Sequence, residues 1–112
     1  MTSRRQASRD FKERRSHGGV YTITDTVNGR RLTGHAADLA SARNRFQFSV
    51  SAGSPVDPRL RNDWAALGPG AFSFAVQEEL DQIPEQSREE FLADLQALEQ
   101  LVRTRFAAET LY

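Results

Sequence analysis

The side chains of this sequence that could move a proton or hold an anion are scattered along it. His35 is the most versatile, because imidazole titrates near neutrality without help from its surroundings. It directly follows Gly34 at the end of a β-type segment. There it reads either as a proton acceptor or phosphate contact, or as a surface histidine that ends a strand. His17, ahead of the same region, reads as a solvated loop residue. Tyr21, taken alone, reads as a half-buried strand residue. Glu99 lies one helical turn from Leu95 and Val102, at the edge of an apolar stripe, where a glutamate is ordinarily solvated. Arg30 and Arg31 follow an Asn28-Gly29 turn, and Arg43 and Arg45 sit in a helical segment. Each reads as a solvated cation unless a polyanion is present. There is no cysteine, so thiolate metal sites and disulfide partners are excluded.

The formal net charge of zero conceals a division. Residues 1–76 carry twelve basic against six acidic side chains, a surplus of six positive charges, and residues 77–112 carry three against nine. Such asymmetry suits a polyanionic partner, although a solvated surface also segregates charge by accident. A chain of 112 residues has the length of one domain with a single core. No apolar run approaches the ~20 residues that a bilayer span needs. The start, MTSRRQASRDFKERRS, lacks the apolar stretch of an export signal, and the cytoplasm is the expected compartment.

The elements that must position these residues are legible from local pattern. Residues 1–17 are arginine-rich, with Phe11 as the isolated large apolar residue, and form a basic arm or a short helix. The domain proper runs over 18–112. Val20, Tyr21 and Ile23, then Leu32 and Thr33, are β-branched, aromatic or apolar residues suited to strands. Between them Asn28-Gly29 supplies a tight turn, so 19–26 and 31–35 form an antiparallel hairpin. Asp38 caps a helix whose apolar face is Leu39, Ala42, Phe46 and Val50, at spacings of three and four. Asp57-Pro58 opens a second helix, as an N-cap acceptor followed by proline; Leu60, Trp64 and Leu67 give it an apolar edge, and Gly68-Pro69-Gly70 stops it. Residues 71–76 form a short strand. Ser87 with Glu90 makes a capping box, and the last helix continues to about Ala108 with Phe91, Leu95, Leu98 and Val102 inward. The fold class is α+β: a small mixed or antiparallel three-stranded sheet flanked by helices, in the order β-β-α-α-β-α.

That order resembles the GIY-YIG nuclease fold, and the residues resemble its motifs. Gly19-Val20-Tyr21-Thr22-Ile23 looks like the first motif, with Val27-Asn28-Gly29-Arg30 after it, and Leu32-Thr33-Gly34 stands where the second belongs. Asp38-Leu39, Asn62-Asp63-Trp64, Leu67-Gly68, Phe72-Ser73-Phe74 and Leu98-Glu99-Gln100 fall at corresponding spacings. The resemblance covers about 19–105. It implies hydrolysis of nucleic-acid phosphodiester bonds with one Mg²⁺ or Mn²⁺ ion, the metal at Glu99, Tyr21 at the attacking water, and an arginine from the first helix on the phosphate. DNA stands ahead of RNA as the partner. His35 would face the same cleft, and Arg30, Arg31 and Arg45 would contact nucleic acid.

The sequence departs from the motifs at three points, one of them the late asparagine of many members, whose place falls about where the given sequence reaches Tyr112. Leu32 replaces the second tyrosine and can neither donate nor accept a hydrogen bond. The slot of the helix arginine falls on Ala42, with Arg43 one residue later and rotated by about 100° around the helix. Arg45 is an equally available substitute. Two functions follow: a nuclease with a remodelled site formed by Tyr21, His35, Arg43 and Glu99, or a catalytically degenerate nucleic-acid-binding or regulatory module on the same fold.

Overall fold

The computed structural model describes residues 17–112. The arm or helix expected over 1–17 therefore lies outside the described residues, apart from His17. Strand β1 (His17–Asp25) and strand β2 (Arg31–Ala36) form the hairpin, and strand β3 (Phe72–Asp81) lies on the other side of β1. The sheet is antiparallel throughout, in the order β2-β1-β3. Helix α1 (Leu39–Ala52) follows β2. A 3₁₀ turn (Pro58–Leu60), helix α2 (Arg61–Leu67) and a second 3₁₀ turn (Pro69–Ala71) lead into β3, and helix α3 (Arg88–Arg103) comes last among the long elements. None of these helices is long and apolar enough to cross a membrane. The α+β class and the element order expected from the sequence are those found.

The hairpin turn is held by a buried carboxylate. Asp25 is wholly buried, and its Oδ1 accepts from the backbone N–H groups of Val27 and Asn28 at 2.9 and 3.3 Å. Gly29 has φ +78°, the left-handed conformation that Asn-Gly turns require. At the first helix the Asp38 carboxylate accepts from the Ser41 N–H, and Gly53 at φ +75° closes the far end. Ser87 and Glu90 form the reciprocal capping box at the start of α3.

Two apolar clusters hold the elements together. One joins Ile23 and Leu32 of the hairpin to Phe46 of α1, Leu60 and Trp64 of the α2 region and Phe72 of β3. The other packs Phe91 and Leu95 of α3 against Ala37. Burial of each large side chain of these clusters contributes about 1.5–3 kcal/mol.

Four boundaries differ from the sequence expectation. β1 begins at His17, not Gly19, so His17 is a strand residue; its ring bridges Glu79, at 2.7 Å, and Asp81 of β3. β3 runs to Asp81 instead of stopping at 76. Its second half is polar and poorly suited to strand, but pairing of Glu78 to Asp81 with residues 17–20 of β1 overrides propensity. A bulge between Val20 and Tyr21 absorbs Gln77, whose amide donates to the Thr22 hydroxyl at 3.0 Å. Asp57-Pro58 opens a 3₁₀ turn before α2, not α2 itself. Finally, α3 ends at Arg103 rather than near Ala108, because the Thr104 hydroxyl and N–H both turn back to the Leu101 carbonyl. The chain then folds back until Leu111 bridges Arg31 in parallel along the outer edge of β2.

Candidate active site

Strand periodicity and helix periodicity meet at Glu99. Thr33 and His35 are two residues apart on β2 and so project to one face. Both reach the same carboxylate of α3: the Thr33 hydroxyl donates to Glu99 Oε2 at 2.9 Å, and His35 Nδ1 lies 2.6 Å from Oε1. A carboxylate accepts, so Nδ1 is the donor in this contact, and Nε2 is the ring nitrogen with no partner among the described residues. Arg103, four residues after Glu99 and hence on the same helix face, donates to the Thr33 hydroxyl at 2.8 Å. The chain Arg103–Thr33–Glu99–His35 fixes the carboxylate with its side chain 14% exposed and the imidazole 30% exposed. Both are held, and both remain open to a ligand.

Tyr21 enters from β1. It lies opposite Gly34 in the hairpin register, and a Cβ on Gly34 would stand 2.5 Å from the Tyr21 Cζ and hydroxyl oxygen. The glycine is what lets the phenol cross β2. The ring stacks on Phe74 at 4.9 Å between centroids. Burial pushes the Tyr21 hydroxyl above its ordinary pKa, with the positive charge of Arg45 opposing and the carboxylate of Glu99 reinforcing that rise. The group is a neutral phenol at physiological pH.

Tyr21, His35 and Glu99 line one cleft of about 250 Å³, walled by residues 32–35 of β2 and closed on the far side by Asp57 and Arg59. Beside it is a groove of about 450 Å³ that shares His35 and carries Arg45 of α1 and Arg88 at the start of α3.

The structure therefore gathers three of the residues singled out from sequence and leaves others apart. Arg43, expected in the site, does not line the cleft. Its guanidinium stands 5.4 Å from the Phe74 ring centroid, and it lines a groove with His17 and Glu79. The reason is helical phase: Ala42 and Phe46 are the buried positions of α1, which puts residues 43 and 45 on opposite flanks, with Arg45 on the side of Tyr21 and His35. Arg30 lies 4.3 Å from the Tyr112 ring centroid and Arg31 4.5 Å from that of Phe106. Both occupy the end of the hairpin away from His35 and carry cation–π contacts. Leu32, where the resemblance wants a tyrosine, is buried in the core cluster.

Four participants were not foreseen. Thr33 and Arg103 had a usable signal, since they stand two residues from His35 on a strand and four from Glu99 on a helix. Asp57 had one in the Asp-Pro pair, read only as a cap. Arg59 had none beyond its place two residues after that cap.

Among the described residues no three His, Asp or Glu side chains converge as a metal cage. The Glu99 carboxylate nevertheless suits a hard cation of the magnesium type, which keeps several waters and takes one or two protein carboxylates. Each of its oxygens has one protein partner, which leaves lone pairs facing the cleft.

No protein-family model matches the chain, and no curated protein matches its sequence. Among solved structures it is similar to the catalytic domain of homing endonuclease I-TevI, at 20% identity and a TM-score of 0.55, over 85% of this chain and 95% of that one. A glutamate-to-alanine mutant of the catalytic domain of intron endonuclease I-TevI is similar at 21% identity and a TM-score of 0.47, over 71% and 84%. The fold of this chain is thus that of the homing endonuclease catalytic domain, the α+β arrangement that the GIY-YIG motifs implied.

Proposed function

We propose that this chain is a GIY-YIG nuclease domain that hydrolyses phosphodiester bonds in nucleic acid, DNA ahead of RNA, with a divalent ion at Glu99. The observation that carries the reading is the convergence of Tyr21, His35 and Glu99, from three separate elements, in one open cleft. That Tyr21 and Glu99 are motif positions of the resemblance and His35 directly follows one, on the fold of a homing endonuclease catalytic domain, supports it further.

The residues divide the work by their chemistry. His35 Nε2 takes a proton from the attacking water, and the Nδ1–H bond to Glu99 orients the ring for it and stabilises the imidazolium that forms. Tyr21 is a neutral phenol whose hydroxyl has no hydrogen-bond partner among the described residues, so it can hold that water or a phosphate oxygen in line. Glu99 would hold one Mg²⁺ or Mn²⁺, which when bound supplies Lewis-acid stabilisation of the phosphate and leaving oxygen. Arg45 and Arg88 receive neighbouring phosphates of the strand in the adjoining groove.

The test is incubation of the pure protein with labelled single- and double-stranded DNA and RNA in Mg²⁺ or Mn²⁺. The parent should cut, and Glu99→Ala should lower the rate about 100-fold or more, the scale on which one transition-state stabiliser acts. Equal cutting by parent and Glu99→Ala would refute the reading. The burial of Leu32 in the core favours a second reading, a binding module without chemistry. Binding by the parent with no cleavage under any of these conditions would select it.

A further inference from the structure

The cleft presents a charge problem that its known members do not solve. Glu99 and Asp57 bring two carboxylates to a place that must accept a phosphate, and Arg59 is the one permanent cation among the described residues that line it. Helix α1 offers no alternative there: Ala42 is buried, Arg43 faces the groove of His17 and Glu79, and Arg45 lies in the groove beyond His35. We infer that Arg59, held in place by Asp57, is the catalytic cation of the cleft, donating to the phosphate oxygens as charge builds on them. The inference rests on the nuclease reading above.

The local construction supports this role. Asp57 Oδ1 accepts from the Arg59 N–H at 2.8 Å and from Nε at 3.1 Å, while Oδ2 accepts from Nη2 at 2.9 Å. One carboxylate thus ties down both the backbone and the guanidinium plane, and Pro58 between them fixes φ at the start of the turn. A guanidinium has five N–H donors; the fork uses two, and the other three have no partner among the described residues. The Asp57 hydrogen bond raises the affinity of Arg59 for its proton against the opposing effect of burial, with the charges of Asp57 and then Glu99 adding to the rise, while Arg59 holds the Asp57 carboxyl below its usual range. Glu99 and Arg59 line the same cleft, as a metal ligand and a phosphate-binding arginine should. Removing a donor of this kind from a transition state lowers turnover far more than substrate binding.

The experiment compares the parent, Arg59→Lys, Arg59→Ala and the double variant Asp57→Asn with Arg59→Ala. Cleavage kinetics of a labelled DNA oligonucleotide are read beside its binding over a salt series without divalent ion, and thermal melts verify folding. Arg59→Ala should lower kcat about 100–1,000-fold with a KM changed only a few-fold, and Arg59→Lys should restore a minor part of it. The double variant keeps the charge of the cleft but should stay as slow as Arg59→Ala, which excludes an unmasked Asp57 as the cause. The slope of log K against log salt should fall by about 0.7–0.9, one phosphate contact. A parent that cuts while Arg59→Ala keeps its kcat overturns the inference and leaves the nuclease reading standing. Recovery in the double variant also overturns it. If the parent binds but does not cut, the nuclease reading falls and the salt slope decides: a slope lowered in Arg59→Ala keeps Arg59 as the phosphate contact, an unchanged slope removes it. A parent that neither cuts nor binds overturns both.

Discussion

Two glycines of the motifs matter for what they leave out. A Cβ on Gly19 would run into the Glu78 carbonyl of β3, so a side chain there would part the central pair of the sheet. A Cβ on Gly34 would run into Tyr21. Gly34 is thereby the reason that the phenol, on a strand that also serves the core, reaches the cleft at all. Gly34→Ala should push the stacked Tyr21–Phe74 pair aside, at about 1–3 kcal/mol of stability as overpacking generally costs, and lower cleavage by at least about tenfold. A urea melt and the cleavage assay check the two arms; unchanged values in both would mean that the ring yields freely. Residue identity was readable here, since Gly19, Tyr21 and Gly34 all belong to motif positions. The pairing of His35 and Thr33 with one carboxylate was not. It depends on where α3 crosses β2, which no local pattern encodes.

The elements were most legible where a single local rule governs them. Asn28-Gly29, Asp38, and Ser87 with Glu90 each announced an end, and each end stands where expected. Ser87→Ala should cost about 1 kcal/mol in a thermal or denaturant melt. Elements shaped by contacts distant in sequence were less legible. The second half of β3 is a strand only because β1 pairs with it, and the end of α3 is set by the return of the chain to the β2 edge. That return has a titratable clasp. The Tyr112 hydroxyl donates to Asp63 Oδ2 and lies 3.3 Å from Asp25 Oδ2, and its N–H donates to the Arg31 carbonyl at 2.9 Å. This hydroxyl first, and the Asn28 amide second, hold the Asp63 carboxyl below its ordinary range. A carboxyl with a depressed folded pKa contributes stability above its unfolded pKa and loses it as pH falls through the folded one. Stability of the parent should therefore drop on the acid side of about pH 4. Tyr112→Phe removes the largest cause of the depression, so its acid-side loss should be shallower. Parallel stability–pH curves for the two proteins would contradict the clasp.

At the scale of the molecule, net neutrality is produced by two unlike parts. Residues 17–112 hold nine arginines against thirteen acids, a deficit of four, whereas residues 1–16 hold six basic residues against two acids, a surplus of four. The domain that carries the cleft is thus acidic overall and would repel a polyanion at long range. Among the described residues, the cations that line the cleft and the adjoining groove are Arg59, Arg45 and Arg88. On the nuclease reading, the N-terminal surplus is the part of the sequence whose charge would draw nucleic acid from a distance. Replacing Arg4, Arg5, Arg14 and Arg15 by glutamine in the full chain should weaken DNA binding at low salt. It should also flatten the slope of log K against log salt by up to about 3–4. The effect should vanish as salt screens the charges beyond a Debye length of about 8–10 Å. Turnover at saturating substrate should stay near the parent value, because the chemistry proposed here belongs to Tyr21, His35, Arg59 and Glu99. An affinity and slope equal to the parent's would assign nucleic-acid attraction to the grooves alone, and a fall in kcat would mean that the charged segment takes part in the chemistry.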